Sequence, residues 1–215
     1  MRVKVCGITR IDQLNRLNEI GVDFAGFIFY PASPRFVVPH LPAKTVCTTE
    51  MRTKKVGVFV NATYEEIMQQ VEAYGLDMVQ LHGDETPEDC FRVLKAIPTI
   101  KAFRVSDQAP LQQNLDAFKD AAHYFLFDTH GKQYGGTGEQ FDWNTLNAIQ
   151  FSNPFFLSGG IGADDISNVQ ALKNTNIDKQ LYALDVNSKF ETSPGVKDLG
   201  KIESFLTQLR IGYSI

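Results

Sequence analysis

The chain has 215 residues, 43% of them hydrophobic, and a formal net charge of −4 with both signs interspersed. That length suits one domain at the small end of the α/β-barrel range, and that apolar content excludes a disordered chain. No basic stripe points to nucleic acid, no Lys/Arg block points to a membrane surface, and no apolar stretch reaches the ~18–20 residues that span a bilayer, so the expected partner is a small molecule.

The first apolar run, Val3–Ile8, breaks at Cys6-Gly7 and reads as a strand; a helical pattern over 11–20 follows and stops at Gly21. Strand two is Phe24–Tyr30. The helix after it, 40–50, is the weakest, because Pro39 and Pro42 bracket its start and Thr45, Thr48 and Thr49 are poor helix formers. Strand three, Lys55–Val60, leads to a helix over 63–74 that Thr63 with Glu65 and Glu66 starts and Gly75 ends. Strand four, Met78–His82, leads to 87–96, where Thr86-Pro87-Glu88-Asp89 is an N-cap followed by proline and acids in the first turn. The remaining pairs are Thr99–Val105 with 110–120, Tyr124–Asp128 with 142–149 after Asp142, Pro154–Ser158 with 163–173, and Leu181–Asn187 with 197–210. Eight β-then-α units with doubly apolar strands predict a parallel sheet covered by helices. Eight units in about 200 residues favour a closed (β/α)8 TIM barrel, one domain over 1–215.

Polar residues that interrupt such strands are informative. Side chains alternate along a strand, so Lys4 shares a face with Cys6, Gln80 with His82, Asp128 with Leu126 and Tyr124, and Asp185 with Ala183 and Asn187. These faces are expected to point into the barrel and converge near its C-terminal mouth, where such barrels carry their chemistry. Each has a plainer reading: Cys6 as a small hydrophobe, His82 as a hydrogen-bonded structural histidine, Asp128 as a loop cap, Asp185 as a structural partner of Lys4. Cys47 and Cys90 read as helix packing residues and Trp143 as core; His40, His123 and His130 read as solvated. Three cysteines without paired spacing make neither a disulfide framework nor a zinc site. Free thiols, and an N-terminus without an apolar leader pattern, lead to the expectation of a cytoplasmic protein.

Two glycine loops stand at strand ends. Gly159-Gly160 follows strand seven, where barrels hold phosphate together with the loop after strand eight; that loop is Asn187-Ser188-Lys189. A phosphorylated substrate is therefore expected. Gly135-Gly136-Thr137-Gly138 follows strand six and is weaker evidence, though a loop over 129–140 that closes on substrate is expected. After strand two, Arg35 stands between Pro34 and an apolar pair, placed either to clamp a carboxylate or to form a surface salt bridge.

Taken together, the chain resembles the phosphoribosylanthranilate isomerase family. The resemblance is carried in order by Lys4-Val5-Cys6-Gly7-Ile8-Thr9, Ser33-Pro34-Arg35-Phe36-Val37, Val56–Val60, Val79–Glu85, Asp128 with Gly135–Gly138, Leu157-Ser158-Gly159-Gly160-Ile161 and Pro194-Gly195-Val196-Lys197-Asp198. It implies a cofactor-free Amadori rearrangement of a phosphoribosyl aminoaldose to the 1-deoxyribulose 5-phosphate ketose, with no metal, in a monomer or homodimer. It implies Cys6 as general base and Asp128 as general acid, Arg35 at the anthranilate carboxylate, and Gly159 and Gly160 at phosphate, with His82, Gly136, Asn187 and Ser188 also at substrate. One departure is clear. Where the family often reads Asp-Val-Ser-Ser-Gly-Val-Glu, this chain reads Asp185-Val186-Asn187-Ser188-Lys189-Phe190-Glu191, with Lys189 in place of a glycine.

The chemistry suits the residues. Opening a furanose needs a proton on the ring oxygen, and burial at an apolar mouth is expected to hold Asp128 protonated; Lys4, one strand repeat from Cys6, is expected to favour its thiolate. The rivals are another phosphosugar isomerase, which in a two-aspartate form would place Asp at Cys6; a metal-dependent epimerase, for which only His82 is well placed; a catalytically silent phosphate-binding barrel; and a redox protein, for which no resolving cysteine lies near Cys6.

Overall fold

Strict alternation in the first strand sets the architecture. In Arg2–Cys6 (β1), Val3 and Val5 join the large core cluster outside the sheet, while Lys4 and Cys6 turn inward. The computed structural model describes residues 1–105, 111–129 and 142–213. Seven further parallel strands follow: Phe24–Ile28 (β2), Lys54–Phe59 (β3), Met78–Leu81 (β4), Thr99–Val105 (β5), Tyr124–Thr129 (β6), Phe155–Leu157 (β7) and Leu181–Val186 (β8). They pair in sequence order, and β8 returns to β1 through Lys4↔Asp185, so the sheet closes into the expected (β/α)8 barrel.

Two apolar shells hold it. Phe24, Val56, Met78, Ile100, Ala102, Leu126, Phe156 and Ala183 fill the lower interior of the barrel. The outer strand faces pack against the helices Ile11–Glu19 (α1), Ala43–Thr48 (α2), Tyr64–Tyr74 (α3), Pro87–Leu94 (α4), Leu111–Phe118 (α5), Ile166–Ala171 (α6) and Leu199–Tyr213 (α7). Burying one large apolar side chain contributes about 1.5–3 kcal/mol, whereas burying a lone charge costs several kcal/mol. Lys4 and Asp185 inside this barrel therefore require each other, and their 2.8 Å contact supplies that.

Three expected helices differ. The segment after β6 is a 3-10 helix, Trp143–Ala148, capped by Asp142 through Asn144 N–H at 2.9 Å. Six residues that include Asn144, Thr145 and Asn147 compete poorly for an α-helix. The span 163–173 divides into a 3-10 turn, Ala163–Asp165, and α6. The last helix starts at Leu199 because Val196–Lys197 (β10) pairs antiparallel with Glu191–Ser193 (β9), a hairpin not expected from the sequence. Trp143 lies in the core, as expected. Cys47 does not: it is exposed on α2, while Cys90 is buried. Residue Gly136 with its neighbours Gly135–Gly138, the 130–140 part of the loop expected to close, and His130 lie outside the described residues.

Candidate active site

Cys6 ends β1, where Gly26 of β2 makes space for it. A Cβ on Gly26 would sit 2.8 Å from the Cys6 sulfur. Gly7 then turns at φ +78°, and the N–H groups of Gly7 and Ile8 both donate to the Gly26 carbonyl at 2.9 Å. This turn leaves Cys6 on the wall of a cavity at the C-terminal mouth. Gln80, His82, Asp128 and Asp185 share that cavity, as the strand alternation predicts, with Ile28, Val58 and Val60 as an apolar wall. Lys4 lies one layer deeper, fully buried beneath Asp185.

Asp128 stands across the barrel on β6. Its Oδ1 accepts from Thr129 N–H at 2.9 Å, and its Oδ2 lies 3.4 Å from His82 Nε2. Burial pushes this carboxyl up, but His82, the Thr129 amide and the Ser158 hydroxyl outweigh it and hold it below the ordinary carboxylate range. The expectation of a carboxyl kept protonated by desolvation is therefore corrected. Besides the adjacent Thr129 amide, the opposing groups follow β4 and β7, and their hydrogen bonds to Asp128 are not legible in the local sequence.

Lys4 does favour the Cys6 thiolate, as expected, but burial outweighs it. Burial pushes Cys6 above its ordinary value, and Lys4 pulls it back only partly. The physical reason is that Lys4 is already paired: its charge at the sulfur is offset by Asp185, whose own field raises the thiol. Burial alone would lower Lys4, yet Asp185 and the nearby thiol hold it above the usual lysine range.

The other rim belongs to the loops after β7 and β8. Gly159 and Gly160 have consecutive positive φ values, +94° and +65°, a backbone turn that favours glycine. Only Gly160 lines the cavity. Gly159 supports from behind, since a Cβ there would meet Thr129 Oγ1 at 2.4 Å. Asn187, Ser188 and Lys189 complete the rim. Lys189 is exposed and is not among the positive-φ positions, so this backbone accepts a lysine where the family often has glycine.

Arg35 does not line the cavity and is not on the surface. Its Nε and Nη2 donate to Glu191 at 2.7–3.0 Å, both side chains being buried. Glu191 also accepts from Lys197 Nζ at 2.7 Å and Gly195 N–H at 3.1 Å, and Lys197 bonds Asn187 Oδ1 at 2.8 Å. Glu191 and Lys197 are thus the residues sequence reasoning passed over; their signal was charge on a short segment that the hairpin turns inward. Among the described residues no cluster of three or more His, Cys, Asp or Glu is arranged for a metal, and no helix is long and apolar enough to cross a membrane.

Residues 3–208 match the family model described as N-(5'phosphoribosyl)anthranilate (PRA) isomerase. The chain belongs to this family. A Parabacteroides distasonis N-(5'-phosphoribosyl)anthranilate isomerase is 38% identical, covering 97% of this chain and 93% of that protein. The crystal structure of the Thermotoga maritima phosphoribosyl anthranilate isomerase superposes with a TM-score of 0.85 at 32% identity, over 98% of each chain. A further structure of a phosphoribosyl anthranilate isomerase, in complex with reduced 1-(o-carboxyphenylamino)-1-deoxyribulose 5-phosphate, superposes at 0.79 with 30% identity, over 98% of each chain. In the family's frame, the mouth holding Cys6 and Asp128 is the place to look for catalysis.

Proposed function

We propose that the chain converts N-(5-phosphoribosyl)anthranilate to 1-(2-carboxyphenylamino)-1-deoxyribulose 5-phosphate by general acid and base catalysis, in cytoplasmic tryptophan biosynthesis. As a member of the family it is an isomerase of that pathway. The observation that carries the proposed mechanism is the shared cavity, in which Cys6 and Asp128 face one space beside the Gly160–Ser188 rim.

Each step uses a group on that wall. Asp128 delivers a proton to the furanose oxygen; the C1′–O bond breaks with its electrons on oxygen, and the anilino lone pair forms an iminium. The cation acidifies the C2′ hydrogen, and Cys6 removes it as thiolate, helped by the iminium charge. The resulting enolamine becomes the ketone. Gly160, the Ser188 hydroxyl and Lys189 hold the phosphate, with Gly159 shaping the cradle; Lys197 takes Asn187 Oδ1, which turns the Asn187 amide N–H toward the same ligand. Glu191 takes Nε and Nη2 of Arg35, and Arg35 is assigned to the anthranilate carboxylate by the family resemblance alone, since it does not line the cavity. Gly136, which lies outside the described residues, is assigned to substrate by the family resemblance alone. No cofactor enters any step.

Turnover of freshly generated phosphoribosylanthranilate, followed by loss of its fluorescence, tests this. Wild type turns over; Cys6→Ser and Asp128→Asn each lose about 10²–10⁴-fold in kcat, the contribution of one positioned acid or base. A folded wild type without turnover overturns the assignment.

A further inference from the structure

Gln80 is a buried polar residue that the mechanism above leaves without a role. It is 1% exposed, on the inner face of β4, two residues before His82. Its Nε2 lies 2.7 Å from His82 Nδ1, while its Oε1 is buried with no hydrogen-bond partner among the described residues. An unsatisfied buried acceptor is costly, so the orientation of this amide is set by the one partner it has.

That partner decides which proton His82 carries. An amide N–H that donates to Nδ1 requires Nδ1 bare, so neutral His82 holds its proton on Nε2, facing Asp128 Oδ2 at 3.4 Å. A protonated imidazole donates from both nitrogens and would oppose that amide N–H. Half a turn of the amide about its terminal bond removes the conflict: Oε1 comes to Nδ1–H, and the orphan acceptor is satisfied. Nothing bonded to Oε1 resists the turn. A backbone carbonyl in this place would serve only the Nδ1–H forms; a glutamine serves both charge states.

We propose that Gln80 is a positioning residue whose amide turns as His82 gains and loses a proton, so that the His82–Asp128 pair, rather than Asp128 alone, carries the proton delivered to the furanose oxygen. This rests on the isomerase reading above. The protons balance within the site. The proton that leaves the Cys6 thiol is taken by the pair as imidazolium and carboxylate. On ring opening Nε2–H passes to Asp128 and from Asp128 to the ring oxygen, leaving His82 neutral and Asp128 ionised. The Cys6 thiolate takes the C2′ hydrogen and returns it to C1′ on ketonisation, while the C2′ hydroxyl proton goes back to the pair. A carboxyl held below its usual range, as Asp128 is, cannot store that proton by itself in neutral solution. The other charged or titratable groups on this cavity are Cys6 of β1, Asp185 of β8 with Lys4 beneath it, Tyr30 after β2 and Lys189 after β8. All are unchanged by substitution at Gln80.

The test is 15N NMR of labelled wild type and of Gln80→Glu and Gln80→Leu, with parallel kinetics. In wild type, bare Nδ1 with protonated Nε2 is expected at high pH, and the Gln80 side-chain amide signals move in step with protonation of Nδ1 as pH falls. Gln80→Glu, an acceptor only, puts a proton on Nδ1 at a pH where wild type has none. Gln80→Leu lowers kcat at least about tenfold with KM within about twofold, and displaces a limb of the kcat–pH profile. Gln80 signals that stay fixed while His82 titrates, or a neutral His82 protonated on Nδ1, overturn the proposal even if neither variant folds. A silent wild type with co-titrating signals would sink the isomerase reading and leave the turning amide standing. Normal kinetics in Gln80→Leu would sink the proton-carrying role alone.

Discussion

At the scale of single residues, the site is governed by which partner each charge already has. Lys4 shares a face with Cys6, and its ammonium would favour a thiolate if it were unpaired. Asp185 at 2.8 Å offsets part of that field. Lys197, the second cation felt by the thiol, is likewise tied to Glu191. Burial therefore wins, and Cys6 rests as a thiol. The expected outcome is a Cys6 alkylation profile whose midpoint lies above the ~8.5 of a free thiol. Lys4→Met moves the Cys6 midpoint further up, since Lys4 lowers it and an unpaired Asp185 raises it. Peptide mapping after iodoacetamide treatment across pH reads both, and a Cys6 midpoint unchanged in Lys4→Met would show that Lys4 does not act on the thiol.

At the scale of elements, local chemistry set most boundaries. Thr63 and Thr86 each form a capping box, with Glu66 and Asp89 donated to by the cap residue's own N–H, and Gly75 closes α3 in the left-handed conformation. Those starts were legible because every group involved lies within four residues. The hairpin β9–β10 was not: its partners, Gln13 on α1 and Asn187 after β8, are remote in sequence or hidden in a strand end. After β6, Trp143, Leu146 and Ile149 recur every three residues, which suits a helix of either kind, while Asn144, Thr145 and Asn147 favour the tighter turn. Thr86→Ala is expected to cost about 1 kcal/mol of stability in urea unfolding, with kcat unchanged, because the cap is exposed and Thr86 does not line the cavity. A loss well above that would mean that Thr86 supports more than its helix.

At the scale of the whole molecule, the closing seam is where fold and site meet. The inward pointing of Lys4, Cys6, Gln80, His82, Asp128 and Asp185 followed from alternation alone, because a closed barrel has only two faces. Who bonds whom across the barrel did not, which is why Arg35–Glu191 and the direction of the Asp128 shift came only from the structure. Lys4–Asp185 joins the first strand to the last at the register Lys4↔Asp185. Asp185 holds Lys4 above the usual lysine range, so the pair is lost at high pH only as pH rises through that raised value; burial in turn holds Asp185 above the ordinary carboxylate range, so the pair is also lost as pH falls through that raised value. Removing one partner leaves the other charge buried alone, at a cost of about 3–5 kcal/mol; removing both for apolar groups of similar size is often nearly neutral. Lys4→Met is therefore expected to lose about 3–5 kcal/mol in urea unfolding at neutral pH, and Lys4→Met with Asp185→Leu to recover most of it. As pH falls the single variant should approach the double already above the ordinary carboxylate range, because burial raises Asp185 and the loss of Lys4 removes the main group that lowers it, so the unpaired carboxyl takes a proton early. A double variant no more stable than the single one would mean that the seam needs the ion pair itself rather than the absence of a lone charge.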